Sequence, residues 1–235
     1  MSSDRRIFLK TAGLSAAALA AASSVLHADA PTSLPLNTVA EELESWEQAR
    51  AETWDTSWTK RVTGKHKAMF DVPEIRDGVG IFRAGIWGRQ YTEVLKLSPG
   101  DLSTVIVIRH AAIPLAMNSE FWTTYGVGKE LKLKDEKGKK WAMSNPMLSN
   151  ASTDMQNAFS ALLLDKQMAN GAIVLGCGMA FNQIVSTVAK QDKLNPADAR
   201  DKAKSFLIPG VILQPSGIFA NVMAEEAGCA FVNAV

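Results

Sequence analysis

The chain is poor in the residues that hold metals: it has two cysteines, Cys177 and Cys229, and three histidines, His27, His66 and His110, in 235 residues. No Cys-x-x-Cys, His-Glu-x-x-His or Cys-x-x-Cys-His spacing occurs, so zinc and covalently attached haem lack their usual ligand sets. The sequence therefore points to no metal site and names no cofactor. A glycine-rich phosphate loop is missing too, because Gly78-Val79-Gly80 and Gly85 to Gly88 lie inside a helical pattern instead of following a strand. No serine elbow and no pair of catalytic carboxylates stands out. Beyond residue 30 there is no uninterrupted run of about twenty apolar residues, which argues against a membrane span in the mature protein.

What the amino terminus does carry is an export pattern. Ser3-Asp4-Arg5-Arg6-Ile7-Phe8-Leu9-Lys10 resembles the twin-arginine signature, in which paired arginines precede a Phe-Leu-Lys run. An alanine-rich, mildly apolar segment follows at residues 11–25, and Ala28-Asp29-Ala30 has the small-x-small form of a cleavage site. Residues 1–30 are accordingly expected to be a twin-arginine signal that delivers an already folded protein to the periplasm, with no membrane attachment after its removal. Setting aside Arg5, Arg6, Lys10, Asp4 and Asp29 reduces 25 basic and 24 acidic residues to 22 of each. A neutral mature domain without a basic stripe argues against nucleic acid as a partner.

Residues 31–64 are expected to form a helical extension. Val39, Leu43, Trp46, Trp54 and Trp58 recur at helical spacing between charged residues, giving a tryptophan-bearing face that must be covered. The cover is the protein's own domain, a neighbouring subunit or another protein docking on that helix.

Residues 65–235 read as strands alternating with helices. Strands are expected at residues 65–71, 103–108, 171–177, 209–213 and 229–234; Ser103-Thr104-Val105-Ile106-Val107-Ile108 is β-branched nearly throughout and reads as central and buried on both faces. Helices are expected at 78–97, in part of 111–125, at 154–169, 179–190 and 216–227, and from Asn195-Pro196 onward, where asparagine caps and proline fills the first turn. Thr153-Asp154-Met155-Gln156 is a capping-box pattern, followed by an apolar face at Met155, Ala158, Phe159, Leu162 and Leu163. The charged stretch 129–140, with Gly138 inside it, reads as an exposed hairpin or loop. The alternation implies right-handed crossovers and an α/β fold: a parallel sheet of about five strands covered by helices on both faces.

The candidate site lies at Gly171-Ala172-Ile173-Val174-Leu175-Gly176-Cys177-Gly178. This apolar run ends in a cysteine between two glycines, where a strand hands over to a helix. Reacting groups of open α/β sheets collect at the carboxyl ends of strands, and a helix amino terminus favours a thiolate. His110 and Arg109, delivered to the carboxyl end of the 103–108 strand, are a candidate proton donor and a candidate anion contact, and Gly176 and Gly178 are candidate ligand-binding positions. Cys177 sits at the carboxyl edge and Cys229 at the amino edge of the sheet. They are separated by about 15 Å, against the roughly 7 Å between Cα atoms that a disulfide allows, and are expected not to pair with each other.

Three places resemble the DsrE/DsrF-like family: Val105-Ile106-Val107-Ile108-Arg109-His110-Ala111, Gly171 to Ala180, and the ending from Ile218 to Val232, in which a helix, Gly228 and a short aromatic strand follow one another. Cys229 and Phe231 stand where tyrosines are common in that family. The resemblance runs from about Lys65 onward. It implies a fold related to the flavodoxin type and assembly as a homo-oligomer. It also implies, by analogy with members that relay sulfur as a persulfide on a cysteine after the corresponding strand, a carrier role for Cys177. Two functions are thus open: an exported DsrE-like module that binds a small ligand or assembles with partners, or a periplasmic thiol protein carrying sulfur or redox equivalents on Cys177.

Overall fold

A computed structural model describes residues 52–135, 138–149 and 159–235. The expected signal, most of the expected extension and the 153–156 capping pattern lie outside the described residues. In chain order, β1 (His66–Val72) leads to α1 (Val79–Leu95) and β2 (Leu102–Ile108). A 3-10 helix (His110–Ala116), α2 (Ser119–Tyr125), α3 (Val127–Glu130) and α4 (Leu164–Ala169) precede β3 (Ile173–Cys177). α5 (Gly178–Asp192), α6 (Pro196–Ser205), β4 (Ile212–Gln214), α7 (Gly217–Glu226) and β5 (Ala230–Asn233) follow.

The five strands form one parallel sheet in the order β4-β3-β2-β1-β5. The arrangement is flavodoxin-like, with β5 supplying the outer strand beside β1. β2 is its centre: Val105, Ile106, Val107 and Ile108 are all fully buried, as an unbroken β-branched run in a doubly covered sheet should be. Alternation sends Ile106 and Ile108, with Phe70, Val72 and Val174, to one face, and Val105 and Val107, with Met69, Ile173 and Leu175, to the other.

Strand order decides which helices cover which face. From β1 to β4 each strand adds on the same side, so right-handed crossovers place α1, α2, α5 and α6 together. Ile81, Phe121, Trp122, Phe181, Ile184 and Ala199 close that layer, the larger of them contributing about 1.5–3 kcal/mol each by burial. The connection from β4 to β5 runs back across the sheet, so α7 covers the opposite face, through Ala220 and Ala224, with Trp58 packed in the same layer. Adjacent strands β3 and β4 therefore feed helices on opposite faces. That switch point is where open α/β sheets leave a crevice at their carboxyl edge.

Two expected helices differ. Within the described part of 154–169, a 3-10 turn at Ser160–Leu162 is followed by extended Leu163 before α4 starts. The break lets Leu162, Leu163 and Leu164 all bury their side chains, and Gln167 holds it by donating from Nε2 to the carbonyls of Ile81 at 2.9 Å and Leu162 at 2.7 Å. Packing overrides periodicity there. Nor does a helix run through Trp54 to Trp58: residues 52–56 carry no helix, and only Ser57–Arg61 forms a 3-10 turn. Asp55 Oδ1 accepts the Ser57 N–H at 2.8 Å, a local turn that competes with helical pairing. β4 starts at Ile212, later than expected, because a turn closed by Val211 N–H to the Ile208 carbonyl at 3.0 Å occupies the preceding residues.

Candidate functional site

The site is built where β3 meets α5. Cys177 is the last residue of β3 and the N-cap of α5, and its Sγ accepts the N–H of Ala180 at 3.4 Å. The backbone N–H groups of Met179 and of Gly217 also lie close enough to act on the sulfur as donors that pull its pKa down. Gly217 opens α7, so the thiol receives donors from the helices on both sides of the switch point. α7 is held there by its own cap, Ser216 Oγ accepting the Phe219 N–H at 3.0 Å.

The glycines of this corner are spacing devices. A Cβ at Gly178 would lie 2.7 Å from the Gln214 carbonyl oxygen and 3.0 Å from Cη2 of Trp54, so only glycine lets the β4–α7 connection and the Trp54 ring approach the start of α5. A Cβ at Gly217 would collide with the aliphatic stem of Arg109. Gly176 faces Leu213, whose Cδ2 would be 3.0 Å from an added Cβ. Gly176 thus serves interstrand packing, while Gly178 lies at the site itself.

Arg109 is not the solvated surface residue that its position at a strand end suggests. Its Nε and Nη2 donate to Asp71 Oδ1 and Oδ2 at 2.6 and 2.8 Å, a two-pronged ion pair with Asp71 almost wholly buried. Asp71, near the end of β1, is the partner the sequence reading missed; a single carboxylate inside the otherwise apolar Met69-Phe70-Asp71-Val72 is the signal that was there to find. The guanidinium also lies close enough to Cys177 to act on it electrostatically. His110 does not join this group. It is exposed, sits in the left-handed backbone region at φ 54°, and is not among the groups acting on the thiol.

Cys177 is 6% exposed, and burial raises its pKa above the ordinary thiol value; the three N–H groups and Arg109 oppose that rise without cancelling it. In this conformation burial outweighs the donors that would favour the anion. Cys229 is equally buried, and its pKa is raised by burial against a weaker opposing pull from Lys67. Both cysteines are free. β2 and β1 separate β3 from β5, so about 14 Å of sheet lies between the two strands in addition to the offset along them.

Among the described residues, no three His, Cys, Asp or Glu side chains are grouped to hold a metal ion, and no helix is long and apolar enough to cross a membrane. A shallow groove lined by Thr59, Lys60, Met223, Glu226 and Ala227 lies toward the far end of α7 from Cys177. In comparisons with known proteins, no family model matches the chain, and no curated protein or solved structure matches it.

Proposed function

We propose that the protein is an exported module of the DsrE type, working in the periplasm as a homo-oligomer, and that its working group is Cys177, which takes up and hands on sulfur or redox equivalents. The observation that carries this reading is the convergence on one sulfur of N–H groups from α5 and α7, with the Arg109 guanidinium beside them. Such a cage favours a sulfur anion, either a thiolate or the terminal sulfur of a persulfide. With a sulfane donor such as thiosulfate, the Cys177 thiolate attacks the outer sulfur, the sulfur–sulfur bond of the donor breaks, and sulfite leaves with the electron pair. The product is a Cys177 persulfide, and the proton originally on the thiol passes to solvent.

The apolar side chains left outside support the assembly part of the proposal. Ile218 and Val222 on α7 and Phe231 on β5, the end strand of the sheet among the described residues, are 73%, 48% and 48% exposed, the kind of surface that a second subunit covers. The tryptophan-bearing extension offers a further docking element, although Trp58 is spent in the core of its own domain.

The test is incubation of the native protein with thiosulfate, followed by peptide mass mapping without reductant. The expected result is one added sulfur on the Cys177 peptide and none on the Cys229 peptide. Absence of sulfur on Cys177 after prolonged incubation, with the fold intact, would leave the chain as a ligand-binding or assembly module in which Cys177 only caps α5.

A further inference from the structure

Register sets Arg109 beside Cys177. Ile108 of β2 is paired with Gly176 of β3, and Arg109 and Cys177 are the next residue of each chain. The aliphatic stem of Arg109 lies against Gly217, where a Cβ would come within 2.4 Å of the arginine Cδ. The side chain is therefore held at two points of different chemistry. Asp71 of β1 takes the guanidinium by charge, and the first residue of α7 takes the stem by contact.

That hold uses one edge of the guanidinium. Nε and Nη2 donate to Asp71, whose side chain is 5% exposed. Nη1 has no partner among the described residues, yet it is not one of the buried polar atoms left without one, and the Arg109 side chain is 29% exposed. Its N–H groups therefore reach the surface at the carboxyl edge of the sheet. The ion pair is thus a dipole with its negative end inside the sheet and its positive end at the opening. A guanidinium fork fixed in this way suits the oxygens of a small oxoanion. The amino termini of α5 and α7, which start at the same edge, add potential of the same sign.

We propose that the free Nη1 edge of Arg109 is the subsite for the anionic end of the molecule that reacts at Cys177, so that the donor is a small sulfane-sulfur compound whose departing half is an oxoanion. This rests on Cys177 being the working group and adds which donors it takes. With thiosulfate, the thiolate bonds to the outer sulfur, the donor's sulfur–sulfur bond breaks, and the electron pair leaves on sulfite. The charge that departs is carried on oxygens that Nη1 holds, and the fork needs no rearrangement to hold them. Neutral and cationic donors gain nothing from that edge. Asp71 is a positioning residue, since it acts on the donor only through Arg109.

The experiment compares two methanethiosulfonates of opposite charge, the 2-sulfonatoethyl and the 2-(trimethylammonio)ethyl reagents, on the folded full chain, with Cys177 and Cys229 read separately by peptide mapping. Both reagents react alike: the thiolate attacks the sulfane sulfur, the sulfur–sulfur bond breaks, and methanesulfinate leaves with the electron pair. The ratio of their rates at Cys177 therefore reports charge along the approach and cancels changes in thiol pKa or access. In the parent, the anionic-to-cationic ratio is expected to exceed that of the urea-unfolded chain by about tenfold or more. Arg109→Gln alone strands a buried carboxylate, so the deciding variant combines Asp71→Asn with Arg109→Gln, which keeps the net charge of the chain. There the ratio at Cys177 should fall by about fivefold or more, with the ratio at Cys229 unchanged. A second measurement needs no variant: sulfate, at constant ionic strength, should slow the anionic reagent at Cys177 in the parent and leave the cationic one alone. A parent ratio equal to that of the unfolded chain, a double variant that keeps the parent ratio, or no slowing by sulfate would overturn the subsite. Sulfur uptake from thiosulfate is read independently: a charge preference without uptake keeps the subsite and ends the sulfur-carrier reading, while uptake without a charge preference keeps the carrier and ends the subsite.

Discussion

The two cysteines make a controlled comparison within one molecule. Each is 6% exposed, each is free, and burial pushes the pKa of each upward. Cys177 stands at the carboxyl edge, among three backbone donors and beside Arg109; Cys229 stands at the amino edge, just before β5, with only the pull of Lys67. A parallel sheet explains the difference. Helix amino termini gather at the carboxyl edge and helix carboxyl termini at the other, so one edge is lined with N–H groups and the other with carbonyls. The Lys67 Nζ donation to the Ala227 carbonyl at 3.1 Å, at the end of α7, shows the opposite polarity next to Cys229. What singles out Cys177 is therefore the company that the topology brings, not its degree of burial.

The largest break in the comparison should come from the charge beneath Cys177. Asp71 is 4% exposed and depends on Arg109 for both of its oxygens. Arg109→Gln leaves a buried carboxylate without its ion partner and is expected to lower unfolding stability by about 3–5 kcal/mol. At the other edge, Lys67→Gln removes a part-buried hydrogen bond to a carbonyl and should cost about 1 kcal/mol. Urea denaturation of the two variants checks the ratio. Similar losses would mean that Arg109 and Asp71 are no more than a surface pair.

A subtler pair separates donors from burial. Serine in place of Cys177 puts an oxygen where backbone N–H groups already point, and serine is a stronger N-cap than cysteine, so Cys177→Ser should change stability by less than about 1 kcal/mol. Serine in place of Cys229 buries a hydroxyl on an apolar face with no donors converging on it. The expected loss is about 1–3 kcal/mol. Chemical denaturation of both variants reads the difference directly, and equal losses would show that the N–H groups do not hold the atom at position 177.

Sequence reading reached the switch point but not its occupants, for reasons visible in particular residues. β2 and β3 are unbroken apolar runs and the Asn195-Pro196 and Ser216 caps are local signals, so strands, helices and the position of Cys177 could be read one segment at a time. Asp71 lies 38 residues from Arg109 and Gly217 lies 40 from Cys177; no local pattern joins them, and only the parallel register of β1 with β2 and of β3 with β4 does. Trp54 and Trp58 show the opposite failure. Their spacing suits a helical face, yet one lies on the start of α5 and the other in the core under α7, because the chain between them turns at Asp55. His110 is a third case. It follows Arg109 at the end of β2, yet it is exposed, in the left-handed backbone region, and not among the groups that act on the thiol.

The smallest expected effect is a dependence on pH that distinguishes the two thiols by their cover. Both cysteines have folded pKa values above the unfolded one, so each favours the folded state fully at pH below the unfolded thiol pKa. That contribution is lost as pH rises through the unfolded value toward the folded one. Stability should accordingly decline above about pH 8.5, where a free cysteine begins to ionise. Cys177→Ser removes one share of the slope and Cys229→Ser the other. Denaturation midpoints between pH 7 and 10 for the parent, Cys177→Ser and Cys229→Ser chains measure these shares. A slope in either serine variant as steep as in the parent would mean that burial does not raise the pKa of the thiol that variant lacks.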